Sequence, residues 1–265
     1  MTLHLALEPY HVADSLIHRL DARLKLLATL AFVLAATCLP PSAWTALLGL
    51  SLIVATLLIA SRVPPSVALK RSLIALPFAS MIALSIPFTH VGQTLWSAQF
   101  GRWTLAVTDQ GLTLFASIVI KAWLSVLVSG LLVATTSFPT LLQAMQALRV
   151  PRILITIISF MYRYLFVLVD EATRLQTARQ ARSAGGARAG GTMLWRIKVL
   201  GGMIGSLFIR SYERSERIYQ AMLSRGYDGQ WPALTQPAWQ PRDTWAGVLI
   251  FTSLACIVIL GYVPG

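Results

Sequence analysis

Long apolar runs separated by more polar segments recur along the chain from residue 24 onwards. A membrane-spanning helix needs about 20 apolar residues, and tilt and snorkelling widen that range. The runs that qualify cover residues 24–39, 43–60, 72–88, 111–136 and 245–262. Pro40 and Pro41 end the first run because proline cannot continue a helix, and Pro77 and Pro87 predict kinks in the third. The pattern predicts an all-α fold, a polytopic membrane bundle of about five spans.

The composition supports this class. Of 265 residues, 56% are hydrophobic and 12% are charged, about half the charged fraction of a soluble domain, and mean hydropathy is +0.67. These values exclude an ordinary soluble enzyme and a disordered chain. The net charge is +12, and basic residues of a membrane protein collect on its cytoplasmic side. Cys38 and Cys256 both lie in apolar runs, where cysteine behaves as a small apolar filler.

The distribution of basic residues orients the runs. Basic side chains flank the first run at its start and the second at its end: Arg19, Arg23, Lys25, Arg62, Lys70 and Arg71. The turn at 40–42 has no charge, and the loop at 89–110 has only Arg102 and Asp109. The positive-inside rule therefore predicts a cytoplasmic N-terminus, with these two connections outside.

The segment 149–228 has 13 basic and 5 acidic residues and so carries +8 of the net charge. The predicted organisation is an N-terminal segment with four spans (1–136), cytoplasmic coupling helices (137–242) and a last span (243–265). Residues 153–169 are apolar enough to span. A single extra span would place the arginine-rich segment outside, and a return span at 199–209 would be too short. We expect 153–169 to be an amphipathic or buried helix at the cytoplasmic side, and a topology with two extra spans stays open.

Within this segment the periodicity predicts helices at 138–148, 170–184 and 192–224, with a glycine-rich loop at 185–191. Arg182 and Arg225 each fall near a predicted helix end and are followed by small residues. A plain helix stop explains either arginine, since a cation is favoured at a helix C-terminus. Two nearly identical stops also suit bidentate docking onto carboxylates of a partner.

Three motifs resemble those of a known family. Asp21-Ala22-Arg23-Leu24-Lys25 is similar to an Asp-Pro-Arg-x-Lys signature, with alanine in place of proline. Ala181-Arg182-Ser183 and Ser224-Arg225-Gly226 are similar to paired Ala-Arg-Gly motifs. Over residues 15–229 the chain resembles the transmembrane T component of energy-coupling factor transporters, which are ABC-type importers for vitamins and transition-metal ions, and most resembles the cobalt and nickel branch, the Q component.

The resemblance implies a coupling role in a bacterial plasma (inner) membrane. Arg182 and Arg225 would seat in grooves of two cytoplasmic ABC ATPase subunits, whose ATP-driven motion would pass to a separate substrate-binding membrane subunit. In the cobalt and nickel branch, that subunit would be an M-type metal binder. ATP would be used by the partners, and no cofactor or nucleic acid is expected on this chain. A vitamin importer component, or a membrane enzyme or scaffold acting on anionic lipid at the basic face, stays open.

The resemblance also covers Tyr162-Arg163-Tyr164 and Asp170-Glu171, upstream of the first arginine motif. It implies supporting roles for Asp21, Arg23, Lys25, Arg163 and Glu171. Lys121 adds an intramembrane charge, for which a coupling or structural-pairing role is one prediction, while snorkelling or a hydrogen bond to carbonyls of neighbouring helices stays open. The chain has no Gly-x-x-x-x-Gly-Lys-Ser/Thr phosphate loop and no His-Glu-x-x-His motif, so no catalytic residue or metal ligand is predicted.

Overall fold

The computed structural model describes residues 15, 17–89, 93–100, 103–182, 192–228 and 239–262. The chain divides into two compact units. The first is Met1–Ala144 together with Gln236–Gly265, and the second is Met145–Thr235. Ser183 and the predicted loop at 185–191 lie outside the described residues.

Helices make up most of the described chain, with one pair of strands between the third and fourth long helices. The elements in chain order are α1 (Ala22–Cys38), α2 (Trp44–Ser61), α3 (Pro65–Ala83), α4 (Ile86–Thr89), β1 (Thr94–Phe100), β2 (Trp103–Thr108), α5 (Asp109–Thr135), α6 (Phe138–Ala147), α7 (Arg152–Arg182), α8 (Met193–Leu223) and α9 (Pro241–Tyr262). The predicted all-α class is confirmed.

Five segments of the described chain are long and apolar enough to cross a membrane: Trp44–Ser61, Ala68–Phe88, Asp109–Thr135, Arg152–Arg182 and Pro241–Tyr262. The multi-pass membrane class is therefore confirmed. The first predicted run forms α1, whose 17 residues measure about 25 Å and which is not in this set. Helix α7 is in the set by its length and composition alone, so the side on which residues 153–169 lie stays a prediction.

The loop predicted at 89–110 contains an antiparallel hairpin. Strands β1 and β2 pair from Thr94 opposite Thr108 to Phe100 opposite Trp103. The Asp109 N–H donates to the Gln93 carbonyl at 3.1 Å, which extends the pairing to the start of α5. A sequence signal exists, because two β-prone segments flank Gly101-Arg102, and a Gly-x pair is a favoured hairpin turn.

Helix α7 is continuous over 31 residues, whereas the pattern predicted separate helices at 153–169 and 170–184. The change from an apolar to a polar sequence at Asp170 does not end the helix. No glycine or proline lies between Arg152 and Arg182 to stop it. Among the α7 residues only Ile155 is buried, so this chain by itself does not bury the helix.

The core of the first unit lies where α1, α2, α5 and α9 meet. Its buried members are apolar: Phe32, Ala36, Leu39, Ala43, Ala46, Leu50, Val54, Leu124, Leu127, Val128 and Leu254. Gly261 allows the end of α9 to approach closely, because a Cβ at this position would collide with the Leu39 side chain. Small residues at such crossings let membrane helices pack where burial supplies little driving force.

Candidate functional site

Helices α7 and α8 form the predicted coupling region and are joined by an ion pair. The Arg210 guanidinium donates to the Glu171 carboxylate at 2.7 Å. The side chain of Arg210 is 57% exposed and that of Glu171 is 21% exposed, so water screens much of the attraction. The structure thus gives Glu171, one of the predicted supporting residues, a specific contact.

The two helices run in opposite directions. Residues of α7 before Glu171 and residues of α8 after Arg210 line one shared groove of about 290 Å³. Its walls include Phe160 and Leu168 from α7 and Ser211 and Met222 from α8. The C-terminal ends of the two helices therefore lie on opposite sides of the ion pair.

This arrangement separates the two arginine motifs. Arg182 lies 11 positions beyond Glu171, about 16 Å along α7, and Arg225 lies 15 positions beyond Arg210, about 22 Å the other way. Ala181, Arg182, Ser224 and Arg225 are exposed. The described residues thus include two divergent, solvent-accessible arginines, and Ser183 lies outside them.

The second motif has a well-defined helix end. Gly226 adopts φ +79°, its N–H donates to the Leu223 carbonyl, and the Tyr227 N–H donates to the Met222 carbonyl, both at 3.0 Å. These bonds form the Schellman motif, in which glycine supplies the left-handed residue at no steric cost. The predicted glycine stop is confirmed. Arg225 therefore occupies a fixed backbone position immediately before the turn.

Apolar side chains on both helices are exposed when this chain is taken alone. On α7 they recur at Ile153, Ile157 and Met161, four residues apart and so on one face. On α8 the exposed side chains include Ile204, which is 66% exposed, and Phe208, which is 69% exposed, and none of the α8 residues is buried. Apolar surface on this scale is typical of a membrane or protein interface.

The N-terminal motif lies at a buried junction in the first unit. Asp21 caps α1 by accepting the Arg23 N–H at 2.8 Å, and the Arg23 guanidinium lies 3.9 Å from the same carboxylate. Lys25 donates to the carbonyls of His18 and Thr135, both at 3.2 Å. The motif therefore ties the start of α1 to the end of α5.

Asp243 completes this junction and was not predicted from sequence. Its side chain is buried, and it accepts the Asp21 N–H at 3.2 Å and the Gln240 N–H at 3.0 Å. Its carboxylate also lies close enough to interact electrostatically with Lys25. An acidic residue in the first turn of a helix that follows a proline is a familiar capping signal, but its partner 222 residues away could not be read from the chain.

Lys121 caps the other end of α1. Its ammonium donates to the Leu39 carbonyl at 2.5 Å, and the Tyr262 hydroxyl donates to the Cys38 carbonyl at 2.6 Å. Pro40 and Pro41 end the helix, so the next turn that would supply N–H donors to these two carbonyls does not form. The contact is a hydrogen bond to a backbone carbonyl, which was the alternative left open for Lys121, and a coupling or structural-pairing role for this residue stays a prediction.

Arg163 is exposed on α7, and within the described part of the chain no hydrogen bond or ion pair engages its side chain. Among the described residues, no group of three or more His, Cys, Asp or Glu side chains could hold a metal ion. Helices α7 and α8 therefore offer two exposed cationic ends and apolar faces.

Comparison with known proteins decides the family. Residues 13–236 match the family described as CbiQ, cobalt transport protein. The chain belongs to the CbiQ family. The match includes α1 to α8 and all three motifs that suggested the resemblance.

Curated relatives extend the CbiQ match over most of the chain. The energy-coupling factor transporter transmembrane protein EcfT of Acidaminococcus fermentans is 29% identical over 86% of this chain and 85% of its own length. The cobalt transport protein CbiQ of Rhodobacter capsulatus is 27% identical over 89% of this chain and 90% of its own. A putative fused cobalt transport protein CbiMQ of Methanocorpusculum labreanum is 29% identical over 83% of this chain and 37% of its own.

By its similarity to these relatives, this CbiQ family member is a transmembrane component of an energy-coupling factor transporter. The family is one of transport proteins, which confirms that the chain is not an enzyme. Such a component works in a membrane complex with other subunits. The family match therefore favours a transport role over the enzyme and scaffold alternatives that the basic segment had left open.

Proposed function

We propose that this chain couples two cytoplasmic ABC ATPase subunits to a separate substrate-binding membrane subunit. The observation that carries the proposal is the pair of exposed arginines, Arg182 and Arg225, at the divergent ends of α7 and α8. One chain with two separated cationic ends suits two copies of an acidic partner groove, because arginine binds carboxylates in a bidentate geometry. ATP hydrolysis belongs to the partners, since this sequence has no phosphate loop.

In this proposal the two arginine motifs, the ion pair and the apolar stripes have different roles. Ala181 and Ser183 flank Arg182 with side chains too small to block a groove, as Ser224 and Gly226 do for Arg225. Helices α7 and α8 pack along their shared groove, and the Glu171–Arg210 ion pair adds one contact between them, so that a push on either end moves both. The exposed apolar stripes of α7 and α8 then contact the substrate-binding subunit, and their burial there would remove them from water.

Charge reversal at both ends tests the coupling. Arg182→Glu with Arg225→Glu should abolish co-purification of the ATPase subunits while the membrane protein stays folded, because each glutamate repels the carboxylates of the groove. The matched control reverses Arg174 and Arg217, two exposed arginines within the same helices. ATPase recovered at the wild-type level from the first variant would refute the proposed roles.

The proposed cargo is cobalt or nickel, supplied by an M-type metal-binding subunit. Support comes from the cobalt transport names of the family and of two relatives, one of which is the putative fused CbiMQ. A vitamin cargo is the second candidate, because other relatives are named EcfT. Uptake of radiolabelled Co²⁺, Ni²⁺ and vitamins by cells that express this chain with its partners separates these cases, and uptake of a vitamin alone would contradict the metal assignment.

The proposed setting is the bacterial plasma membrane, with the N-terminus and residues 137–242 in the cytoplasm and residues 1–136 and 243–265 providing the spans. The excess of basic over acidic residues in the 149–228 segment supports this orientation. A cysteine at Arg188, placed in a chain with Cys38 and Cys256 changed to serine, should resist an impermeant thiol reagent in intact cells. Labelling of that cysteine would overturn the five-span topology.

A further inference from the structure

A groove of about 420 Å³ lies within the first unit, between α1 and two helices, α3 and α5, whose segments are long and apolar enough to cross a membrane. Its walls come from α1, α3 and α5, and its lining includes Val33, Ala68, Ser72, Ser129 and Gly130. This volume falls in the range of small-molecule sites. The groove borders the core of the first unit, since Leu127 belongs to both.

The groove suits a hydrocarbon chain. Its lining along α5 extends from Ser125 to Ala134, about 14 Å of helix, which is close to half of a 30 Å hydrocarbon core. The hydroxyl of Ser72 is already used, since it donates to the Leu69 carbonyl at 3.0 Å and accepts the Trp123 indole N–H at 2.9 Å. A Cβ at Gly130 would meet nothing within 4 Å, so the space is open.

A basic residue lies next in sequence to the lining at one end of the groove. Val63 lines it and packs in a buried cluster with Leu131 and Ala134, and Arg62 is the residue before Val63. Arg62 is exposed, and it ends α2 in the left-handed region at φ 53°, with its N–H donating to the Ile59 carbonyl. Within the described part of the chain no hydrogen bond or ion pair engages its side chain.

Lys70 is an exposed cation in the same part of the chain but points elsewhere. Ala68 and Ser72 both line the groove and are four residues apart, so they share one face of α3. Lys70 lies midway between them, about 200° around the helix from Ala68. It is therefore a matched control for Arg62.

We propose that this groove binds one anionic phospholipid, with an acyl chain along α5 and the headgroup phosphate at Arg62. An apolar slot one leaflet deep with a cation at its end matches a lipid that carries a negative headgroup. A neutral lipid would fill the same slot without the ionic contact. Arg62 therefore determines which headgroup is preferred, and the open space at Gly130 determines whether a chain enters.

Lipid titrations of the purified full-length chain, followed by native mass spectrometry, test the proposal. The probes are phosphatidylglycerol and phosphatidylcholine with the same palmitoyl and oleoyl chains. The wild type should bind one phosphatidylglycerol about fivefold more tightly than phosphatidylcholine, the effect of one basic residue at a lipid headgroup. Arg62→Gln should remove this preference, whereas Lys70→Gln should keep it.

Filling the groove tests the chain position separately. Gly130→Leu and, independently, Ser129→Leu should weaken the binding of both lipids at least tenfold, with gel-filtration and circular-dichroism profiles of the folded protein. Equal affinity for the two lipids in the wild type, or the same loss for Arg62→Gln and Lys70→Gln, would overturn the proposal. Lipid binding unchanged by the leucines, with loss of a co-purifying membrane subunit instead, would assign the groove to a partner helix and would also overturn it.

Discussion

Asp243 offers the sharpest test of how the first unit is held together. Asp243→Ala removes a side chain that is only 2% exposed and that accepts two backbone N–H groups, from Asp21 and from Gln240. A hydrogen bond to an ionised group contributes about 1.5–3 kcal/mol. Both bonds are at least 3.0 Å long, so the lower value applies to each, and the expected loss in free energy of unfolding is about 3 kcal/mol.

That loss should lower the thermal midpoint by about 6 °C or more, at ~2 °C per kcal/mol for a chain of this size. The measurement is intrinsic tryptophan fluorescence of the purified protein in detergent during heating. Asp109→Ala is the matched control, because Asp109 also lies in the first turn of a helix but is exposed. It should cost less than about 1 kcal/mol. Equal losses from the two variants would show that the junction around Asp243 does not stabilise the unit.

Other contacts give smaller, directional effects on thermal stability, measured in the same way. Lys121→Met leaves the Leu39 carbonyl without its donor and should cost about 1 kcal/mol, a typical value for a polar contact inside a membrane protein; an unchanged midpoint would contradict the capping role. Glu171→Gln breaks a solvent-screened ion pair and should lower the free energy of unfolding by less than about 0.5 kcal/mol. A larger loss would show that water does not screen the pair. Gly226→Ala should destabilise the protein by about 1 kcal/mol because the backbone of Gly226 has a φ of +79°. Gly202→Ala lies inside α8 with open space at its Cβ, and it should stabilise the protein by a similar amount. The same sign for both variants would refute the left-handed turn.

The sequence predicted the helices that have capping or stop residues at their ends. Helix α8 starts after Thr192, whose hydroxyl accepts the Trp195 N–H, and Gly226 stops the turn that follows it. Helix α6 matches the predicted amphipathic segment, with Leu142 on its buried side. Such signals lie within a few residues of each other and therefore need no knowledge of the fold.

Two predictions failed where a local signal was weak or was overlooked. The break expected near Asp170 was wrong because a change in polarity alters the surroundings of a helix, while only glycine, proline or a cap ends it. The hairpin of β1 and β2 was not predicted. The apolar runs on either side predicted spans and left the segment between them as a loop, although Gly101-Arg102 marks a turn.

By itself, the sequence determined the class of this protein, the positions of its long helices and the two arginine motifs. Apolar run length, helix-stop chemistry and charge excess are properties of neighbouring residues, and they need no folding to be read. The tertiary structure decided that Asp243 joins Asp21, that Lys121 caps α1, and that α7 and α8 run in opposite directions so that Arg182 and Arg225 diverge. These features depend on which helix packs against which, and apolar faces that are alike in composition do not specify their neighbours before they pack.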